Sequence, residues 1–144
     1  MRSKYELNCF AVYEGFTFDT YYIRSGYIGL VTENEELAKK LNFSLDEDGY
    51  YKEVSPYELT EYYQQSFIAF YKNIPVSIVV GDDNSVEIEA NNISWNILEK
   101  AGFEVVNKGE YSKIVKTSEL TELHAIKRNK LEYAKKDFDE INKS

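Results

Sequence analysis

Two clusters of acidic residues, each at a predicted turn, are the best candidates for a binding site in this chain. The five are Asp46, Glu47, Asp48, Asp82 and Asp83. Adjacent carboxylates can bind Ca²⁺, but neither cluster has the D-x-[DN]-x-[DN]-G order of an EF-hand loop. The chain repeats itself about 60 residues apart, and the matching turns carry different charges, so the fold does not need these acids. A role in binding a partner therefore stays open beside that of a solvated turn.

The single histidine and the single cysteine add little to this search. One His and one Cys cannot form a zinc site of Cys and His ligands. Cys9 and His124 could pair as nucleophile and base, but no third orienting group and no oxyanion motif accompanies them. Glycine-rich phosphate loops, G-x-S-x-G and H-E-x-x-H do not occur in the sequence. We predict no catalytic residue, no metal site and no cofactor, with Cys9 as a small buried apolar residue and His124 on the surface of a helix.

The acidic charge of the chain is concentrated before residue 101. The net charge is −8 and the pI about 4.8. Residues 1–100 carry 8 Lys and Arg against 17 Asp and Glu, whereas residues 101–144 carry 9 against 8. Such a surface repels nucleic acid and attracts basic proteins, whose association it accelerates. We therefore expect a protein partner and no nucleic acid.

An internal repeat organises the elements that would position these residues. Leu37–Glu61 resembles Ile97–Glu122, and weaker similarity extends the copies to about 8–66 and 67–144. Phe43 matches Phe103 and Gly49 matches Gly109. No linker rich in Pro or Gly separates the copies, so we predict a single domain built of two sequence repeats.

Each copy is predicted to form βββ-α-ββ-α. Alternating apolar residues indicate three strands in each half, such as Val86, Ile88 and Ala90 inward against Glu87 and Glu89 outward. A short helix and a hairpin follow in each copy, and then a second helix. The predicted fold class is α+β, a tandem pseudo-repeat with helices packed on an antiparallel sheet.

Capping signals set the predicted helix boundaries. Thr32–Glu35 has the sequence of a capping box, and Asn91 or Asn92 can cap the equivalent helix. Asn42 and Gly102 should adopt positive φ and end these two helices, because a Phe follows each of them. Ser55-Pro56-Tyr57-Glu58 and the residues from Thr117 onward should open the second helices.

The small size, the acidic charge and a tyrosine-rich sequence without catalytic motifs resemble immunity proteins of bacterial polymorphic toxin systems, of the Gram-positive kind. The chain has 144 residues and 13 Tyr. The resemblance implies stoichiometric binding of one cognate toxin domain. The resemblance identifies no binding residues in this sequence. We therefore take the predicted partner-binding set from the acidic turns, the outward face of a strand and a nearby Tyr. That set is Asp46, Glu47, Asp48, Tyr50, Asp82, Asp83, Glu87 and Glu89.

Three other interpretations remain open. An inhibitor from a phage or mobile element that mimics nucleic acid would carry rows of charge spaced like phosphates. A small enzyme with a site outside the known motifs would have a pocket lined by convergent polar groups. A structural or adaptor domain is the third. The first residues, Met1–Leu7, contain no apolar run of signal-peptide length, and no stretch of the sequence is apolar for long enough to span a membrane. We therefore expect a cytoplasmic protein. The sequence does not indicate its oligomeric state.

Overall fold

The fold is dominated by antiparallel strands. The computed structural model describes residues 3–90, 93–107 and 109–143, and it is 53% strand and 21% helix. The strands in these ranges are β1 (Tyr5–Glu6), β2 (Asn8–Tyr13), β3 (Phe16–Tyr21), β4 (Ile28–Thr32), β5 (Ser44–Asp46), β6 (Gly49–Val54), β7 (Glu61–Tyr71), β8 (Ile74–Gly81), β9 (Ser85–Ala90), β10 (Glu104–Asn107), β11 (Glu110–Lys116) and β12 (Leu120–Asn129). The helices are α1 (Glu35–Lys40), α2 (Trp95–Lys100) and α3 (Leu131–Ile141), and single 3₁₀ turns occupy Pro56–Glu58 and Thr117–Glu119.

The predicted α+β class is therefore wrong. Both expected second helices begin with a single 3₁₀ turn followed by a long strand, β7 or β12, and only the far part of the one expected after Thr117 is helical, as α3. The capping signal is real, since the Ser55 N–H donates to Glu58 Oε2 at 2.7 Å, but it specifies one turn only. The next residues of β7, Glu61–Tyr71, are rich in Tyr and Phe, which favour a half-buried pleated surface over a helix. Pairing with a neighbouring strand then decides the outcome.

The chain divides into two compact units, and the long strands β7 and β12 contribute residues to both. Unit 1 consists of Met1–Leu7 and Gln65–Lys127, and unit 2 of Asn8–Gln64 and Arg128–Ser144. Each unit contains three antiparallel strands, a short helix, a hairpin and a 3₁₀ turn in the same order. The two are described separately below.

Unit 1 is a sheet in the order β10-β11-β9-β8-β7, with β1 paired to β8. Strand β9 alternates as predicted: Val86, Ile88 and Ala90 are buried, and Glu87 and Glu89 lie on the other face. Leu98 of α2 and Phe103 pack on the buried face. This face forms the core of the unit.

Unit 2 is a sheet in the order β2-β3-β4-β6-β5. Its core contains Ala11, Phe18, Leu30 and Val54 from the strands and Ala134 from α3. Leu37 of helix α1 packs against this core, and Ala38 of the same helix is buried. Unit 2 holds 9 Lys and Arg against 15 Asp and Glu, whereas unit 1 holds 8 against 10, so most of the negative charge of the chain belongs to unit 2.

The predicted helix ends are confirmed and one predicted helix start is wrong. Asn42 has φ 61° and Gly102 φ 89°, and each precedes a Phe whose N–H donates back into the helix. At the start of α1, however, the capping residue is Asn34, whose Oδ1 accepts from the Leu37 N–H at 3.0 Å, while Thr32 accepts from the Asn34 N–H. The proposed caps Asn91 and Asn92 lie outside the described residues.

None of the helices formed by the described residues combines the length and the apolar character needed to cross a membrane.

Candidate functional site

The hairpin between β5 and β6 in unit 2 carries the first predicted cluster. Asp46 pairs with Gly49 across the hairpin, and Gly49 has φ 125°, a conformation that favours glycine. The Asp46 carboxylate accepts a hydrogen bond from the Asp48 N–H at 2.8 Å and so closes the turn locally. Asp46, Glu47 and Asp48 are all exposed. The turn thus holds three acidic side chains in solvent on a defined backbone.

A groove of about 420 Å³ brings part of the predicted set together with other aromatic residues. Three predicted residues line it, namely Asp46, Asp48 and Tyr50. Tyr21 and Tyr51 complete the aromatic lining, and neither was predicted. Glu47 belongs to the same turn but does not line the groove. Two carboxylates and three phenol rings therefore share one concave surface.

Tyr21 owes its position to a glycine on the neighbouring strand. Tyr21 pairs with Gly29 across β3 and β4, and a Cβ at Gly29 would overlap the Tyr21 ring. Burial raises the pKa of the Tyr21 hydroxyl, and the negative charges of the Glu53 and Asp46 carboxylates raise this pKa further. The phenol therefore stays protonated at neutral pH and can donate a hydrogen bond.

The chemistry of this groove suits a cationic side chain. A carboxylate forms charge-assisted hydrogen bonds with an ammonium or guanidinium group, and the face of a tyrosine ring attracts the same cation. The groove combines both features in the unit that carries most of the negative charge. A Lys or Arg side chain of a partner would meet carboxylates and aromatic rings together.

The second predicted cluster, in unit 1, is engaged within the protein. The Asp82 carboxylate accepts from the N–H groups of Asn84 at 2.8 Å and Ser85 at 3.1 Å, and these bonds lower its pKa. Asp83 accepts from the Lys4 ammonium and the Tyr5 hydroxyl, each at 2.8 Å, and these bonds lower the pKa of Asp83. Asp82 shapes the turn before β9, and Asp83 ties β1 to it. Both acids thus have structural partners already.

Glu87 and Glu89 lie on the outward face of β9. Glu87 pairs with Ile114 of β11 and Val80 of β8, which are 74% and 40% exposed, so the carboxylate stands between two apolar side chains in solvent. Glu89 pairs with Ser77 and Ser112. The predicted set thus falls into a hairpin group in unit 2 and a turn-and-strand group in unit 1.

Cys9 and His124 fall in different units. Cys9 lies on β2 and is only partly buried, against the prediction of a buried residue, and burial raises the pKa of its thiol. His124 lies on strand β12, not on a helix, where it is exposed with its Nδ1 2.6 Å from the Glu122 carbonyl oxygen. Within the described ranges, no group of three His, Cys, Asp or Glu residues could hold a metal ion.

Comparison with known proteins gives one match. A family model described as "Uncharacterised conserved protein UCP033725" matches residues 5–132. No curated protein and no solved structure matches the chain.

Proposed function

The chain belongs to this family over most of its length, and we propose that it is a non-catalytic binding protein whose acidic groove takes a basic segment of a protein partner. Within that class, we propose an immunity protein that neutralises a cognate toxin in the cytoplasm by stoichiometric binding.

The observation that carries the proposal is the convergence at the β5–β6 hairpin. Asp46, Asp48 and Tyr50 line one groove with Tyr21 and Tyr51. Protein interfaces favour tyrosine, because its ring buries apolar area while its hydroxyl finds a polar partner. Two carboxylates beside such rings add specificity for a cation, since an arginine there would be bound through both its charge and its planar face.

The charge distribution supports the same proposal. Unit 2 carries 15 Asp and Glu against 9 Lys and Arg. A field of this sign accelerates the encounter with a basic partner and weakens as salt is added. Small, acidic, tyrosine-rich immunity proteins are the class that the sequence resembles, and stoichiometric inhibition needs such an interface and no reaction.

The groove can be tested with a hexa-arginine peptide as the basic probe. We expect Asp46→Asn with Asp48→Asn to weaken its binding about tenfold at low salt, because two charge-assisted contacts are lost. Asn at position 46 keeps an acceptor for the Asp48 N–H. The measurement is an NMR titration, with the backbone amides of Gly49–Tyr51 as reporters.

The matched control is Glu33→Gln with Glu36→Gln, which removes two exposed carboxylates of the same unit that do not line the groove. Both double variants change the net charge equally. Equal loss of affinity in the two would show that the peptide senses the overall field and not the groove, and would contradict the proposed site.

The immunity class has its own test. Where a toxin gene lies immediately upstream, its product is the partner to test, and co-expression with wild type should protect the host cell from it. The groove double variant should lose protection while the control double variant keeps it. Protection by both variants would place the toxin-binding surface elsewhere, and no protection by wild type would reject the class.

A further inference from the structure

A second concave site in unit 2 lies between helix α3 and the sheet. Its cavity has a volume of about 280 Å³. Cys9 of β2 and Tyr62 of β7 line it from the strands, the segment 22–27 lines a second side, and Tyr133 and Asp137 of α3 line a third. No predicted partner-binding residue lines this cavity.

The walls of the cavity are held together by specific contacts. The Phe138 ring meets the Tyr27 ring edge-on, with the centroids 5.1 Å apart. The Asn142 side-chain amide donates to the Ser25 carbonyl oxygen at 3.2 Å. Gly26, at φ 86°, lets the segment approach the helix so closely that a Cβ there would lie 3.1 Å from the Phe138 Cα. These contacts join residues 25–27 to α3 beside the cavity.

Aromatic rings dominate the lining. Five tyrosines contribute to it, and they are Tyr21, Tyr22, Tyr27, Tyr62 and Tyr133. Aromatic rings in such a lining prefer offset stacking or edge-to-face contact with another ring. A volume of 280 Å³ lies just below the usual range of drug-sized ligand pockets. The site therefore suits a molecule of one or two rings.

One cation stands at the end of the cavity where α3 begins. Lys130 is half-buried, lines the cavity and forms no ion pair with any other residue that the structure describes. The nearby Cys9 thiol is neutral at pH 7, because burial raises its pKa more than the Lys130 charge lowers it. Asp137 lies seven residues further on, about 10 Å along the helix axis. Among the described residues that line the cavity, no carboxylate other than Asp137 faces Lys130.

We propose that this cavity binds a small planar aromatic molecule bearing a carboxylate, with the ring among the tyrosines and the carboxylate at the Lys130 ammonium. The tyrosines supply stacking, and the half-buried ammonium supplies a charge-assisted hydrogen bond. The Lys130 contact does not depend on the hairpin groove or on a protein partner, and Tyr21 is the one residue that lines both the cavity and the groove. The ligand site and the proposed function therefore stand or fall separately.

Indole-3-acetate and its neutral analogue indole-3-acetamide are the probes for this site. We expect wild type to bind the acetate with a Kd below about 1 mM and the acetamide about tenfold more weakly. Lys130→Gln should lower affinity for the acetate about tenfold and leave the acetamide within about twofold, because only the acetate uses the ammonium. The measurement is isothermal titration calorimetry, supported by NMR shifts of residues 22–27.

Two further variants make the result specific. Lys136→Gln removes an exposed cation of the same helix that does not line the cavity, and it should change neither affinity. Tyr133→Ala removes a mostly exposed ring and should weaken both probes. Tyr21 is left unchanged, because it also lines the hairpin groove.

Several outcomes would overturn the assignment. Wild type failing to bind the acetate at about 10 mM would exclude the class of ligand. If Lys136→Gln lowered the affinity for the acetate as much as Lys130→Gln, the effect would come from the overall charge of the protein and not from the Lys130 ammonium. Lys130→Gln weakening both probes equally would remove the role of the ammonium.

Discussion

The two units close the end of their first helix with the same hydrogen bonds. In unit 2 the Phe43 N–H donates to the Ala38 carbonyl oxygen at 2.8 Å, and in unit 1 the Phe103 N–H donates to the Leu98 carbonyl oxygen at 3.0 Å. The residue before each Phe has positive φ. The two units thus form the same hydrogen bonds although most residues of the two helices differ.

A lysine completes the closure in both units. The Lys52 ammonium donates to the Leu41 carbonyl oxygen at 3.1 Å and lies 5.7 Å from the centre of the Tyr13 ring. The Lys113 ammonium donates to the Ala101 carbonyl oxygen at 3.0 Å and lies 5.7 Å from the centre of the Tyr71 ring. The cation thus binds the last turn of the helix at its negative end and an aromatic face together.

The units differ in what they carry on that shared frame. The hairpin that follows the helix contains Asp46-Glu47-Asp48 in unit 2, whereas the aligned residues in unit 1 are Val106-Asn107-Lys108. The comparison separates two kinds of residue. Those with equal contacts in both units hold the fold, and those that differ are free to serve binding.

The largest expected effect comes from exchanging core residues at an equivalent position. Leu98 is fully buried in unit 1, and its counterpart is Ala38. Leu98→Ala should lower the free energy of unfolding by about 2–5 kcal/mol, because it leaves a cavity. Ala38→Leu should lower it by about 1–3 kcal/mol through overpacking. Urea unfolding measures the free energy of unfolding of both variants. If either substitution left it unchanged, the two cores would accept the same side chain at this position, and the predicted difference between them would be wrong.

The helix ends should respond next. Gly102→Val should cost about 1–2 kcal/mol, because a β-branched residue resists positive φ. The new Cβ would also meet the Lys113 ammonium and displace it from the Ala101 carbonyl oxygen. Asn42→Gly in the other unit is the control, and it should leave the melting temperature unchanged or raise it slightly. An unchanged melting temperature for Gly102→Val would contradict the strain argument.

The paired lysines test whether the shared contact matters equally. Lys52→Met and Lys113→Met should each cost about 1–2 kcal/mol, since a carbonyl oxygen loses a charged donor and a ring loses its cation. Chemical denaturation of the two variants provides the comparison. A cost in one unit and none in the other would show that only one of the two contacts is formed in solution.

How far the sequence predicts the fold depends on the range of the signal. Strand β9 and the positive φ of Asn42 were predicted correctly, because alternation and turn residues are local. The second helices were not, because a capping box extends over four residues and says nothing about the next ten. At β7 the choice between helix and strand depends on pairing with β8, which the sequence of Glu61–Tyr71 does not show by itself.

The candidate site divides in the same way. Asp46 and Asp48 are found at a turn that their own sequence predicts. Tyr21 and Tyr51 join them only through the register of β3, β4 and β6. Gly29 was the available signal, since a glycine inside a strand indicates that another group approaches the backbone closely. For Asp82, the Asn and Ser that follow in the turn indicate local capping, and the structure contains those bonds.

Neutralising the unit 2 hairpin should leave stability almost unchanged. Asp46→Asn, Glu47→Gln and Asp48→Asn together should shift the free energy of unfolding by less than about 0.5 kcal/mol, because all three side chains are exposed. Association with a basic partner should slow and lose part of its salt dependence. Stopped-flow mixing at low and high salt measures this. Unchanged rates at both salts would reduce the acidic hairpin to a solubility feature.

The smallest expected effect concerns Asp83 in unit 1. Hydrogen bonds from Lys4 and Tyr5 lower the pKa of Asp83 below its ordinary value of 3.8. A carboxyl whose pKa is lower in the folded state stabilises the fold above its unfolded pKa, and it loses that contribution as the pH falls through the folded pKa. As the pH drops below 3.8, the free energy of unfolding of wild type should therefore decrease by a small amount. Lys4→Met should make this decrease smaller.

The measurement is an NMR titration of the Asp83 carboxyl in both proteins. Lys4→Met should move its midpoint upward, since the ammonium supplies the largest part of the shift. Glu35 serves as the internal reference, because its pKa is lowered by Lys39 and not by Lys4. If the Asp83 midpoint did not move, the Lys4 contact would be absent in solution. Asp83 would then be as available to a partner as the hairpin acids, and the distinction between a structural cluster in unit 1 and a binding cluster in unit 2 would lose its basis.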